Sequence, residues 1–174
     1  MDNLDRILKN SAYQGFILGV ALIVYTVLIY VSGIHLFSVT SGIIMGIVMF
    51  GGEIAFTIIY QKKFRNSIGG KITYLQLLVY GFVLLLVASI ITGLFSFILY
   101  NFIDPEYLRI QVDYFIEEMS QWITDENVLD QMSVDMTAKM EDMRNIVSYT
   151  SKMWIGPLVI SLITSLIVKK DINE

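Results

Sequence analysis

Cysteine is absent from the 174-residue chain, and histidine occurs once, at His35. These absences exclude disulfides, thiolate metal sites and cysteine nucleophiles, and leave little material for histidine-based metal or base chemistry. Charge is also scarce: 16% of residues are Asp, Glu, Lys or Arg, against about 25% in soluble domains. The usual catalytic signatures are missing. There is no G-x-S-x-G, no H-E-x-x-H and no glycine-rich phosphate loop, and no pair of aspartates lies inside an apolar run. Gly69-Gly70 reads as a turn. The expectation is a non-enzymatic protein without a cofactor.

What the chain has in quantity is apolar sequence, at 55% of residues. It falls into four runs, at about 12–34, 42–60, 74–102 and 153–168, to be compared with the about 20 residues that cross a bilayer core. The first run is longer than a signal-peptide core and no A-x-A cleavage site follows it, so an uncleaved helix is expected. The third exceeds one crossing and is expected to tilt or project. The fourth is short and is expected to gain a turn from Val147 to Tyr149, with Gly156-Pro157 breaking or kinking its start. Residues 35–41 form a tight link. Residues 61–73 form a basic turn, closed by Gly69-Gly70 and followed by Thr73 as a helix cap. The fold expected is all-α, with four transmembrane helices in an antiparallel bundle, and residues 1–174 make one membrane domain.

Orientation follows from Lys and Arg near the ends of the runs. Arg6, Lys9, Lys62, Lys63, Arg65, Lys71, Lys169 and Lys170 fall on one side of a four-span chain. Arg109, Lys139, Arg144 and Lys152 are spread over the long segment on the other. Both termini are therefore expected in the cytoplasm. Tyr13, Tyr60 and Tyr74 mark the inner rim, and Tyr30, Tyr100, Phe102, Tyr149 and Trp154 the outer. Each run also carries two small residues four apart: Gly15/Gly19, Gly42/Gly46, Ser89/Gly93 and Ser161/Ser165. Helices in lipid associate by close packing over such residues, within one chain or between chains.

The long polar segment, 104–152, holds eleven of the sixteen acids. Such a segment does not suit nucleic acid. Asp104-Pro105-Glu106 reads as a helix start, with Asp as cap and Pro in the first turn. Behind it Leu108, Val112, Phe115, Met119 and Trp122 recur at spacings of three and four, which places them on one helical face. Thr124 reads as a second cap. Leu129, Met132, Met136, Met140, Met143 and Val147 then repeat the pattern. Two amphipathic helices result, an external hairpin between spans three and four. Their acidic polar faces suit packing on themselves or on a partner better than spreading on anionic lipid. Four methionines on one face could ligate Cu(I), but no Cys or nearby His supports a metal. Met as filler of an irregular interface is the plainer use. Leu108, Val112, Phe115, Met119, Trp122, Met132, Met136, Met140 and Met143 together form the candidate interaction face.

Glu53 is the one acid inside an apolar run. Burying a carboxylate in mid-bilayer costs on the order of 3 kcal/mol or more, which makes such a residue a candidate for function. A protonated, hydrogen-bonded clamp between helices and a proton or cation relay both fit it, as does a position reaching water.

The elements Gly70-Lys71-Ile72-Thr73-Tyr74-Leu75-Gln76 before the third run and Ile103-Asp104-Pro105 after it, in this order, carry a resemblance. The chain resembles the membrane-protein family catalogued as domain of unknown function 4199, found mainly in the Bacteroidetes group of bacteria. The resemblance spans essentially the whole chain. It implies a four-helix protein of the bacterial inner membrane and brings no activity, substrate or catalytic residue with it. The function expected is membrane-protein interaction or assembly, with the bilayer and a second copy or another envelope protein as partners. The alternative is an oligomeric transporter or channel component that uses Glu53.

Overall fold

The computed structural model describes residues 2–35 and 38–170, and the regular structure among them is helical. Helix α1 (Asp2–Ser32) begins well before the first apolar run. Nothing in DNLDRILKNSA breaks a helix. Ile7 and Ser11 from this polar start are buried, with the Ser11 hydroxyl donating to the Ile7 carbonyl at 2.7 Å. Gly33, at φ 67°, ends the helix in a conformation that a side chain would oppose. Of the 35–41 link, positions 36 and 37 lie outside the described residues.

Helix α2 (Val39–Ser67) corrects the expected basic turn. Residues 61–67 belong to that expected turn and are helical. The reason is packing: Gln61 and Phe64 are buried, so the helix keeps an inward face after its apolar run has ended. The real stop is at the glycines. Gly70 N–H donates to the Arg65 carbonyl at 3.0 Å and Gly69 N–H to that of Asn66 at 3.2 Å. Together with positive φ at both glycines, this is a Schellman motif. Thr73 then caps helix α3 (Tyr74–Ile98) as expected. Its hydroxyl accepts from Gln76 N–H at 3.2 Å, while the Gln76 side chain accepts from Thr73 N–H at 2.9 Å. The pair forms a reciprocal capping box. The chain continues through a π-helical turn, Leu99–Ile103, in which Asp104 N–H reaches back five residues to the Leu99 carbonyl at 2.8 Å.

Two of the expected caps are displaced. Helix α4 (Tyr107–Ser120) starts after Glu106, whose side chain makes no capping bond. Asp104 instead closes the π turn, and Pro105 and Glu106 form a tight turn. Helix α5 (Glu126–Arg144) is capped by Asp125 rather than Thr124: the Asp125 carboxylate accepts from Asn127 N–H at 3.0 Å. Helices α6 (Ile146–Lys152) and α7 (Ile155–Lys170) are separated by a turn at Met153 and Trp154. The fourth run therefore gains no turn from 147–149. Pro157 lies in the first turn of α7, where its missing N–H has no intrahelical partner to lose, and the helix is not broken there. The side chains of Val147, Tyr149 and Lys170 lie outside the described residues.

Leu4–Ser32, Val39–Ser67 and Tyr74–Ile103 are long and apolar enough to cross a membrane, and Ile155–Lys169 is a shorter apolar helix. The chain divides into two compact units. The first takes Met1–Val24, Met49–Thr92 and Lys152–Glu174, and the second takes Tyr25–Val48 and Gly93–Ser151. The core of the first unit is Ile7, Leu18, Phe64, Leu77, Tyr80, Leu84 and Val168. In the second, Ile29, Leu99, Tyr107, Leu108 and Val112 are buried.

Candidate functional site

In the second unit α4 and α5 pack against each other. The predicted face of α4 is graded along its length. Leu108 and Val112 are buried, Phe115 and Met119 are half-buried, and Trp122 is 80% exposed. On α5, Met132, Met136 and Met140 are half-buried and Met143 is exposed; the helix has no fully buried residue. On α4 the stripe is thus continuous at one end with a packed core and open at the other.

The buried end is held by groups that the periodicity does not single out. The Tyr30 hydroxyl donates to the Asp104 carboxylate at 3.1 Å. The ring of Tyr30 meets that of Tyr107 edge-on at 5.2 Å, and Tyr100 stacks near-parallel on Tyr107 at 6.1 Å. Burial pushes the Tyr107 phenol up to about 12, helped by Tyr100, Tyr30 and the negative charge of Asp104. From the last turn of α5, the Arg144 guanidinium donates to the carbonyls of Tyr100 at 3.1 Å and Pro105 at 2.5 Å. The Asn101 amide returns a bond to the Arg144 carbonyl at 3.2 Å. A π turn frees carbonyls from regular pairing, and Arg144 takes one of them. His35 stacks on Tyr114 with ring centroids 3.7 Å apart, and Glu118 accepts from Val39 N–H at 3.2 Å. On the outer face Arg109 pairs with Glu106 at 2.6 Å and Asp113 at 3.7 Å, both exposed. Such pairs contribute little to stability.

In the first unit Glu53 is half-buried and makes no side-chain hydrogen bond or ion pair with a described residue. Its backbone carbonyl accepts from Thr57 at 2.7 Å. A Cβ added at Gly51 or Gly52 would meet nothing within 4 Å. The polar centre of this unit is elsewhere. Gln61 is fully buried and donates from Nε2 to the Leu77 carbonyl at 2.9 Å and to Ser165 Oγ at 3.0 Å, leaving Oε1 without a partner among the described residues. Thr57, Ser161, Thr164 and Ser165 are also fully buried. A Cβ at Gly81 would stand 2.7 Å from Gln61 Nε2 and 3.2 Å from Ser161 Cβ, so glycine lets α3 approach α2 and α7 here. Sequence reasoning places Gln61 in a loop. The available signal is Thr57 and Gln61 four apart, on one face of a helix extended past Tyr60.

The small-residue pairs have separate fates. Gly15 and Gly19 lie against α3, where added Cβ atoms would collide with the Leu84 carbonyl and with Ile91. Ser161 and Ser165 are buried within the unit. A Cβ at Gly46 would meet nothing within 4 Å, and only 6% of the apolar window of α2 is buried.

A family model described as Protein of unknown function (DUF4199) matches residues 13–170. The chain belongs to this family. The match takes in the first long apolar helix from Tyr13 onward, the other two whole, the hairpin and α7, so both resemblance elements, 70–76 and 103–105, fall inside it. No curated protein and no solved structure matches the chain.

Proposed function

We propose that this DUF4199 protein is a small, non-enzymatic protein of the bacterial inner membrane that acts in membrane-protein interaction or assembly. In this reading α7 is a fourth crossing, the four spans form an antiparallel bundle, both termini are cytoplasmic and the α4–α5 hairpin is external. At 16 residues, α7 would span about 24 Å at 1.5 Å per residue, and Lys169 would anchor its inner end. The observation that carries the interaction reading is the hairpin stripe, which begins in a packed core at Leu108 and Val112 and opens along α4 to Trp122, 80% exposed, while Met143 on α5 is 44% exposed. Aromatic residues and Met are the types enriched at protein interfaces. The partner is a second copy or another envelope protein, reached through the hairpin and through the uncovered face of α2 around Gly46.

The test is photo-crosslinking in native membranes from probes at Glu117 and Asp135, exposed positions on α4 and α5. A discrete adduct is expected, its mass separating a second copy from another protein. Absence of any specific adduct at both positions overturns the reading.

A second reading rests on Glu53. A half-buried acid without a partner among the described residues, beside two open glycines, suits an oligomer in which several copies line a path for protons or cations. Flux in vesicles that is abolished by Glu53→Gln supports it. No flux in the parent removes it.

A further inference from the structure

The first turns of α1 and the last turns of α2, both in the first unit, enclose an open groove of about 390 Å³ lined by Arg6, Lys9, Asn10, Tyr13, Phe64 and Ser67. Arg6 and Lys9 are three apart and so share a face of α1. Neither makes an ion pair with a described residue. Asp5 is their neighbour in sequence but does not line the groove, and no acid among the described residues does. Its floor is rigid. The Phe64 ring is 6% exposed and lies 4.8 Å from that of Tyr80, whose hydroxyl donates to Asn10 Oδ1 at 2.6 Å. That bond occupies the acceptor of Asn10 and leaves its amide N–H donors to the groove. Ser67 Oγ donates to the Phe64 carbonyl at 2.7 Å, which leaves its oxygen as an acceptor.

We propose that this groove binds the phosphate of an anionic phospholipid headgroup. Two cations and an amide donor converge on one concave site, the donor set a phosphate diester needs. The site lies just beyond the apolar runs of α1 and α2, at the level where headgroups stand if those helices cross the bilayer. The inference rests on that membrane reading. A soluble phosphate compound would share the chemistry, but the flank of the groove favours lipid. Tyr13 is 62% exposed, and Phe16 and Val20, three and seven residues further along the same face, are 55% and 41% exposed. An acyl chain attached to the bound phosphate would run along them. Basic pockets at the ends of membrane helices hold anionic headgroups in the same way. Ser67 can accept from a headgroup hydroxyl, which favours phosphatidylglycerol over a headgroup without one.

The test uses the full chain, expressed in membranes and purified in mild detergent with phosphatidylglycerol and phosphatidylcholine in equal amounts, and native mass spectrometry of the lipid retained. Phosphatidylglycerol should be retained in preference. Arg6→Gln with Lys9→Gln should lower its retention roughly 25-fold, about fivefold for each basic residue removed. Ser67→Trp, which fills the groove without changing charge, should lower it as well, and Lys63→Gln should not. Unchanged retention in the double variant overturns the proposal. So does an equal loss in Lys63→Gln, which would reduce the effect to diffuse attraction. Displacement of the lipid by equimolar inorganic phosphate or glycerol phosphate would assign the groove to a soluble ligand and overturn the lipid assignment. Carbonate extraction of the same membranes reports insertion separately, so a failure of the membrane reading is seen before the lipid measurement is made.

Discussion

The guanidinium of Arg144 donates to the backbone carbonyl of Tyr100, 44 positions earlier in the chain, at 3.1 Å. With the further bond to Pro105, one side chain fastens the end of the hairpin to the place where the third long helix ends. Both acceptors are backbone atoms, so the contact does not depend on the identity of the Tyr100 or Pro105 side chain.

Arg144→Met removes both bonds and should destabilise the hairpin by about 2 kcal/mol, less than two hydrogen bonds from a charged group can contribute at roughly 1.5–3 kcal/mol each, because one bond is only partly buried and the other is exposed. Arg144→Lys should rescue little, because an ammonium cannot reproduce the fork that reaches two carbonyls. Amide hydrogen exchange reads this directly: amides of α5 should exchange faster in both variants while those of α3 before Phe97 keep their protection.

Gly15→Ala and Gly46→Ala make a matched pair. The first drives a methyl into the Leu84 carbonyl and Val87, and overpacking of this kind costs typically about 1–3 kcal/mol. The second meets open space, and since Ala is the better helix former it should leave the thermal unfolding of the detergent-solubilised monomer unchanged or slightly raised. If α2 is an association face, Gly46→Ala should instead reduce crosslinked oligomer in membranes.

Gly81→Ala should lower the unfolding temperature, because its methyl would press on Gln61 Nε2 and Ser161. Gln61→Ala, by removing the obstructing side chain, should make Gly81→Ala less costly in the double variant than in the native background. A double-mutant cycle on unfolding in detergent measures the coupling.

Tyr107 gives a pH dependence. Its folded-state phenol is held up to about 12, against an ordinary value near 10, so the neutral form is favoured by folding. The stability this contributes is intact below about pH 10. As pH rises from about 10 to about 12 the unfolded chain loses the proton first, and stability falls. Ultraviolet titration of tyrosinate should show a late-ionising component that Tyr107→Phe removes, and loosening of the hairpin should set in over the same interval.

Much of the fold is legible in the sequence because helix periodicity and apolar length are local properties. The stripes of α4 and α5, the Thr73 cap and the stop at Gly69-Gly70 can be read from spacing and residue type. The boundaries that shift do so for reasons of tertiary contact. Composition ends the second apolar run at Tyr60, yet Gln61 and Phe64 are buried by packing against other helices of their unit, and the helix runs on. Asp104 has the chemistry of a cap, but the π turn uses its N–H and Tyr30 uses its carboxylate. The second of these partners is 74 positions away. The polar centre at Gln61 and the clamp at Arg144 escape sequence reasoning for the same reason. Gln61 and Ser165 are 104 positions apart, and no local pattern joins them. Glu53 stands out because one acid in an apolar run is a local anomaly. The small-residue pairs are visible, but their direction is not, since spacing is the same whether a face meets its own chain or another.

The π turn at Leu99–Ile103 also fixes an angle. Each residue of an α-helix advances the chain by about 100° around its axis, and a reach of five residues in place of four inserts one extra step. Everything after Ile103 therefore leaves the helix rotated from where a regular α3 would have sent it. Deleting one residue between Leu99 and Ile103 would restore regular winding and swing Asp104 away from the Tyr30 hydroxyl. The direction in which the hairpin departs from the end of α3 is set by a single residue of surplus backbone.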